Sequence, residues 1–130
     1  MALNVLVVDD SSVVRTMIVK TLHLAGFPIG EIYQAGNGQE GLDILEAHWV
    51  DLALVDINMP VMNGEEMIER VRANPEWQDL PIIVVSTEGS QKRIGRLQEK
   101  GAKFVHKPFA PEVVREMVEE ITGITHEQQV

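Results

Sequence analysis

The chain contains no cysteine. A disulfide framework, a zinc–thiolate centre and a thiol nucleophile are therefore excluded. Positive charge is also scarce: 11 lysines and arginines stand against 20 aspartates and glutamates, a net charge of −9. That balance argues against general nucleic-acid binding through a basic surface. No helix-turn-helix or other DNA-reading module is recognisable. No apolar stretch approaches the roughly 20 residues needed to cross a bilayer. The run Leu3–Val8 is too short for the apolar segment of a signal peptide and ends in two aspartates. Low-complexity segments, linkers and internal repeats are lacking. These absences leave a small cytoplasmic globular domain that engages neither membrane nor nucleic acid. At 130 residues it can bury roughly two-thirds of its unfolded surface, so no covalent or metal staple is required.

The scarce positive charge is gathered in one place. Formal charge is −10 over residues 1–91, +5 over 92–107 and −4 over 108–130. Two readings are open for the basic stretch. It is a solvated face balanced by acidic helices, or it is a surface that steers an acidic partner in a salt-dependent way.

Apolar residues alternate between two periods. Leu3–Val8, Leu52–Val55 and Ile82–Val85 are continuous runs bounded by polar residues, as expected of strands buried on both faces. Glu31–Ala35 alternates like an edge strand, and Lys103–His106 is a short fifth candidate. Between them, Val14, Met17, Ile18, Leu22 and Ala25 recur at helical spacing before Gly26. Similar patterns cover Gln39–His48, the segment from Asn63 to Pro75, Ser90–Lys100, and Pro111 through Val114, Met117, Val118 and Ile121 to Gly123. Five strand-then-helix units with short connections imply one α/β domain, residues 1–123, with a parallel sheet, right-handed crossovers and helices on both faces. Residues 124–130 are expected to form a tail.

In an open parallel sheet, ligands bind outside the carboxyl ends of the strands. Strand one is followed by Asp9 and Asp10, strand three by Asp56, strand four by Ser86 and Thr87, and strand five by Lys107. Three carboxylates brought together repel by roughly 3 kcal/mol per pair at ~5 Å and an effective dielectric near 20. They need a counter-ion, and an all-oxygen donor set favours Mg2+. With a lysine and a hydroxyl added, the set suits phosphoryl transfer. Asp56, alone at the end of the most buried strand, is the candidate nucleophile for an aspartyl-phosphate. Each residue also has a plainer reading as a helix cap, a turn or a strand end. Those readings do not explain matched phosphate chemistry at four of five strand ends.

Val7-Val8-Asp9-Asp10, Leu54-Val55-Asp56-Ile57-Asn58-Met59-Pro60 with Asn63-Gly64, Ser86-Thr87 and Lys107-Pro108-Phe109 together resemble a response-regulator receiver domain of the CheY-like type. The resemblance covers residues 3–122. It implies a flavodoxin-like (βα)5 doubly wound sheet with strand order 2-1-3-4-5. It further implies that a histidine kinase, a phosphotransfer protein or a small phosphodonor phosphorylates Asp56. Asp9, Asp10, Asp56 and the Asn58 backbone carbonyl would hold Mg2+, Lys107 would pair with the phosphoryl group, and the Ser86 hydroxyl would swing to meet it. That swing would be coupled to an aromatic on strand five. Here that aromatic is Phe104 rather than the tyrosine typical of chemotaxis members, so it offers a partner no hydroxyl. Asn58, Thr87 and Glu88 stand where side chains tune hydrolysis, and a phosphoryl lifetime of seconds to minutes is expected.

The chain ends shortly after the fifth helix, so no effector domain is expected. Output would pass through a protein partner at the helix 4–strand 5–helix 5 face, with chemotaxis as the natural pathway. Two alternatives differ in kind. A Mg2+-dependent phosphohydrolase with an aspartyl nucleophile would commonly carry a second aspartate where Asn58 stands. A receiver-like interaction module would never be phosphorylated.

Other signals carry less. Gly36-Asn37-Gly38-Gln39-Glu40-Gly41 matches a dinucleotide-binding fingerprint but follows a half-polar strand, so Asn37 reads as a helix cap. His23 and His48 read as solvated or lightly packed, His106 as structural, and Trp49 and Trp77 as packing caps. Met17, Met67 and Met117 fit core faces. Met59 and Met62 belong to the loop expected to respond to phosphorylation.

Overall fold

Continuous Val, Leu and Ile runs are stable as strands only when both sheet faces are covered. The computed structural model, which describes residues 2–87, 89–107 and 110–122, has this arrangement. Strands β1 (Leu3–Val8), β2 (Ile29–Ala35), β3 (Leu52–Val55), β4 (Ile82–Ser86) and β5 (Lys103–His106) alternate with helices. The helices are α1 (Ser12–Leu24), α2 (Gly38–Ala47), α3 (Gly64–Ala73), α4 (Gln91–Glu99) and α5 (Pro111–Thr122). All strand pairs are parallel, in the order β2-β1-β3-β4-β5. This is the flavodoxin-like doubly wound sheet. Among the described residues no helix is long and apolar enough to cross a membrane.

Side chains alternate across the sheet, and each face makes its own core. On one face Leu6, Val8, Val55 and Val84 pack under Leu42 and Leu45 of α2, Met67 and Ile68 of α3, and Leu97 of α4. On the other, Val5, Val7, Leu54 and Ile83 meet Ile18 and Leu22 of α1 and Val114 and Val118 of α5. β3 and β4 are buried at every position.

The structure corrects three expectations. β2 begins two residues before Glu31, because the Leu3 N–H bonds to Pro28 O (2.8 Å) and Ile29 pairs with Leu3 across a register shift. Met17 is 59% exposed: Val14, Ile18 and Leu22, four residues apart, form the inward stripe of α1, and Met17 lies one position off it beside exposed Val13. Trp49 is no packing cap but stands 74% exposed. Trp77 does pack against the first core. His48 lies at the surface with its ring stacked on Tyr33, centroids 4.4 Å apart.

Arg72, unremarked in the sequence, closes the far end of the α3–β4 connection. Its guanidinium donates to the carbonyls of Lys100 (2.6 Å), Leu80 (2.8 Å) and Gln78 (3.2 Å). Burial lowers its pKa and neighbouring Asp79 opposes that shift, but a guanidinium keeps its charge. With a longer bond to Trp77 O (3.5 Å), four carbonyls thus depend on one side chain. Arg72→Met is expected to destabilise the fold by about 2–3 kcal/mol. Urea unfolding would show this as a lower midpoint at unchanged slope; an unmoved midpoint would mean that water replaces the guanidinium.

Candidate functional site

The strand registers bring the carboxyl ends together. Val8 lies opposite Val55, Val55 opposite Val84, and Ser86 opposite His106. Parallel-ladder bonds continue one residue further: Asp9 N–H to Ala35 O (3.0 Å), Asp56 N–H to Val8 O (2.9 Å) and Lys107 N–H to Ser86 O (3.0 Å). The backbone thereby delivers Asp9, Asp56, Ser86 and Lys107 to one edge. Asp9 and Ser86 are wholly enclosed, Asp56 is 8% exposed and Asp10 faces solvent.

Asp9, Asp10 and Asp56 each place a carboxylate oxygen within 4.8 Å of the others. At that range like charges repel by roughly 3 kcal/mol per pair at an intermediate dielectric. Lys107 Nζ offsets part of this, 2.8 Å from Asp9 Oδ2 and 3.7 Å from Asp56 Oδ2. The other oxygens have amide partners: Asp9 Oδ1 accepts from Ser11 N–H, and Asp56 Oδ1 from Ile57 N–H, both at 2.9 Å. Ser11, not the aspartate pair, caps α1 through its hydroxyl. Three carboxylates to one ammonium leave negative charge uncompensated. An all-oxygen donor set with one exposed member fits a hard divalent cation such as Mg2+.

Burial, the largest influence, pushes the Asp56 pKa above its ordinary value. Lys107 pulls it back, Asp9 raises it again, and the Ile57 N–H and Ser86 hydroxyl lower it. These opposing pulls show four elements acting on one carboxyl group.

The loop after Asp56 is held tightly at its far end. A Cβ on Gly64 would sit 2.1 Å from the Asp56 carbonyl oxygen, so only glycine lets α3 start against the Asp56 backbone. Asn63 and Glu66 form a reciprocal capping box there. Within the loop, Val61 takes φ 67° while 83% exposed, a strained choice for a β-branched residue. Asn58 is exposed, and its Oδ1 accepts from Arg93 of α4 at 3.3 Å.

Thr87 is exposed, whereas Phe104 is half-buried against the first core and meets His106 edge-on, centroids 4.8 Å apart. Glu88, Pro108, Phe109 and the tail lie outside the described residues. Asn37 caps α2, its Oδ1 accepting from Glu40 N–H at 2.9 Å, as expected of the glycine-rich segment.

Two arginines were not legible as site residues. Arg15 of α1 donates to the Asp9 carbonyl and, through Nε, to Gln34 Oε1 at 3.0 Å. Arg93 ties Asn58 to Glu65 (Nε to Oε1, 3.4 Å). Both are helix-surface positions by spacing, and the targets Gln34, Asn58 and Glu65 are remote in the chain. Glu65 also pairs with Arg96 at 2.8 Å, and that hydrogen bond is the main reason its pKa is lowered. Lys100 reaches Glu69 (4.0 Å) and Lys103 reaches Glu120 (2.7 Å). The basic stretch is therefore largely balanced by acids of α3 and α5.

The family model of the response regulator receiver domain matches residues 5–119. A chemotaxis protein CheY homolog of Campylobacter jejuni is 37% identical over 123 residues, 93% of each chain. Chemotaxis protein CheY1 of Helicobacter pylori strain J99 is 35% identical over 93% of this chain and 98% of its own. Among solved structures, the chemotaxis protein CheY4 of Vibrio cholerae superposes with a TM-score of 0.81 at 33% identity, over 93% of this chain and 99% of that one.

The raised Asp56 pKa couples the ionisation of this carboxyl group to folding. The folded state holds this proton more tightly than the unfolded chain, so stability falls as pH rises from the ordinary aspartate range through the folded-state value. Above that value the ionised group is a destabilising charge. In chelator, Asp56→Asn is expected to melt several degrees above the parent at neutral pH, an advantage that shrinks as pH falls through the folded-state value and is lost by about pH 4. Melting curves at both pH values test this; a constant offset would contradict it.

Proposed function

The chain belongs to the response regulator receiver domain family, and on that premise we propose that it is a phosphorylation switch with Asp56 as acceptor. The observation that carries this reading is the arrangement of Asp56. It is nearly buried, within reach of the Lys107 ammonium and the Ser86 hydroxyl, and joined to Asp9 and Asp10 in one oxygen cluster.

The donor is a phosphohistidine on a kinase or phosphotransfer protein, or a small acyl phosphate. Ile57 N–H engages Oδ1, so Oδ2 is the oxygen that attacks phosphorus. The bond from phosphorus to the donor breaks, and its electron pair leaves with the imidazole nitrogen, which takes up a proton from solvent, or, for an acyl phosphate, with the carboxylate oxygen. Asp9, Asp10, Asp56 and the Asn58 carbonyl would hold Mg2+, which when bound offsets negative charge on the phosphoryl oxygens. Lys107, already shared between Asp9 and Asp56, pairs with the phosphoryl group. The Ser86 hydroxyl donates to a phosphoryl oxygen, which draws in the start of the β4–α4 connection. Phe104, half-buried two strand residues before His106, follows that movement, and the α4–β5–α5 face meets the output partner.

Release is the reverse in kind. Water attacks phosphorus, the bond to Asp56 Oδ2 breaks, and inorganic phosphate leaves. Asn58 orients that water, while Thr87 crowds its approach. The chain thus catalyses its own phosphorylation and dephosphorylation rather than turnover of a free substrate. The 37% identity to a chemotaxis protein over nearly all of both chains supports chemotaxis as the pathway.

Incubation with acetyl phosphate and Mg2+ is expected to add one increment of about 80 Da by intact mass, a phosphoryl group. Asp56→Asn should abolish it. No adduct on the parent chain would mean an interaction module that is never phosphorylated, and many phosphoesters hydrolysed per chain would mean a phosphohydrolase. After removal of acetyl phosphate, the adduct is expected to decay within seconds to minutes in Mg2+ without a phosphatase. Survival for many hours would assign Thr87 the dominant role over Asn58.

A further inference from the structure

A cleft of about 690 Å3 lies at the amino-terminal end of the sheet, away from the carboxylate site. It runs between the α2–β3 connection, residues 48–51, and the α3–β4 connection, residues 74–81. Leu45, Val50 and Leu80, all buried in the first core, form its base. Both tryptophans of the chain line it, Trp49 from one connection and Trp77 from the other. Its size is that of a binding cleft, and the two tryptophans give it an apolar lining within an acidic rim.

Both walls are fixed. The Trp49 indole N–H donates to Asp51 Oδ1 at 2.8 Å, and Asp51 Oδ2 accepts from the Asn4 N–H at 2.8 Å. The largest exposed apolar side chain is thereby held in one orientation. Opposite, Arg72 grips the Gln78 and Leu80 carbonyls, and turn bonds join Trp77 to Asn74 and Leu80 to Trp77, both at 3.0 Å. An occupant would spend little entropy on ordering the protein.

The charge around the cleft selects the occupant. Glu46, Asp51, Glu76 and Asp79 line it; among the described lining residues there is no lysine or arginine, and the one cation behind the wall, Arg72, is engaged with backbone carbonyls and offsets part of the Asp79 charge. Tryptophan faces attract cations, and a carboxylate rim adds to that attraction. We propose that this cleft docks a basic segment of a partner protein, with an apolar residue anchored between the tryptophans and arginine or lysine side chains against the rim. Asp9, Asp56 and Lys107 stand at the other end of the strands, so docking is independent of the state of Asp56.

The chain's two tryptophans both report on the cleft, which makes intrinsic fluorescence a local probe. A peptide of alternating arginine and leucine is expected to change the emission saturably, and a peptide of alternating arginine and serine, of equal charge, to bind about tenfold more weakly. Trp49→Ala, which alters no charge, should weaken binding of a dye-labelled arginine–leucine peptide by about tenfold while leaving acetyl phosphate labelling intact. Glu76→Gln with Asp79→Asn should weaken it further and reduce its salt dependence. Asp56→Asn should bind the peptide like the parent. Equal binding to parent and Trp49→Ala would overturn the proposal in favour of diffuse attraction to an acidic protein. Equal binding of free argininamide and the peptide would overturn it in favour of a small-cation pocket.

Discussion

Mutual repulsion among Asp9, Asp10 and Asp56 is the constraint that the rest of the site answers to. Their oxygens converge within 4.8 Å at the ends of two strands, β3 buried throughout and β1 at every position but Asn4. Hydrophobic packing of β1 and β3 forces that convergence, since Val8 and Val55 must lie side by side. Amide groups engage one oxygen of Asp9 and one of Asp56, and Lys107 is shared between the other two. The balance remains negative. A cluster in this condition gains stability from any cation that binds the folded state alone. It also accepts the loss of stability that function-bearing sites commonly carry.

That charge balance reaches α4 through weak links of suitable size. Arg93 spans Asn58, in the loop after Asp56, and Glu65, at the start of α3. Arg96 shares Glu65. Ion pairs this accessible to water contribute roughly 0.2–1 kcal/mol each. Losing them together would cost an amount comparable to the gap between two populated conformations. The α4 helix is therefore restrained without being locked. A stronger, buried pair at the same place would oppose displacement by any single new contact at Ser86. The basic stretch seen in the sequence is best understood in this way: its arginines and lysines mostly answer acids on α3 and α5.

The parts legible in the sequence share one property: they depend on near neighbours or on strand ends. Leu3–Val8, Leu52–Val55 and Ile82–Val85 announced buried strands by composition, and Asp9, Asp10, Asp56, Ser86 and Lys107 followed from the rule that ligands gather at carboxyl ends. Asn37 was readable as a helix cap. What stayed hidden depends on partners distant in the chain. Arg72 is an ordinary surface helix position until the Lys100 carbonyl arrives from 28 residues away. Arg15 and Arg93 are equally silent. Met17 and Trp49 failed in the opposite direction: helical spacing and size suggested burial, but the inward stripe of α1 passes through Val14 and Ile18, and the Trp49 side chain is held outward by Asp51.

The two ends of the sheet thus carry different physics. At the carboxyl ends, charge is concentrated and only partly neutralised; at the amino ends, two indoles and four carboxylates surround an open cleft. β3 and β4 connect these ends, and every residue of both is buried. Packed strands of this kind are the last parts of a fold to open locally, and they have no alternative packing to switch into. The β4–α4 connection beside Asp56, whose Thr87 is exposed, is far less constrained by packing than Leu52 or Ile82 at the opposite end. Independence of the two sites is therefore the expected consequence of the core between them.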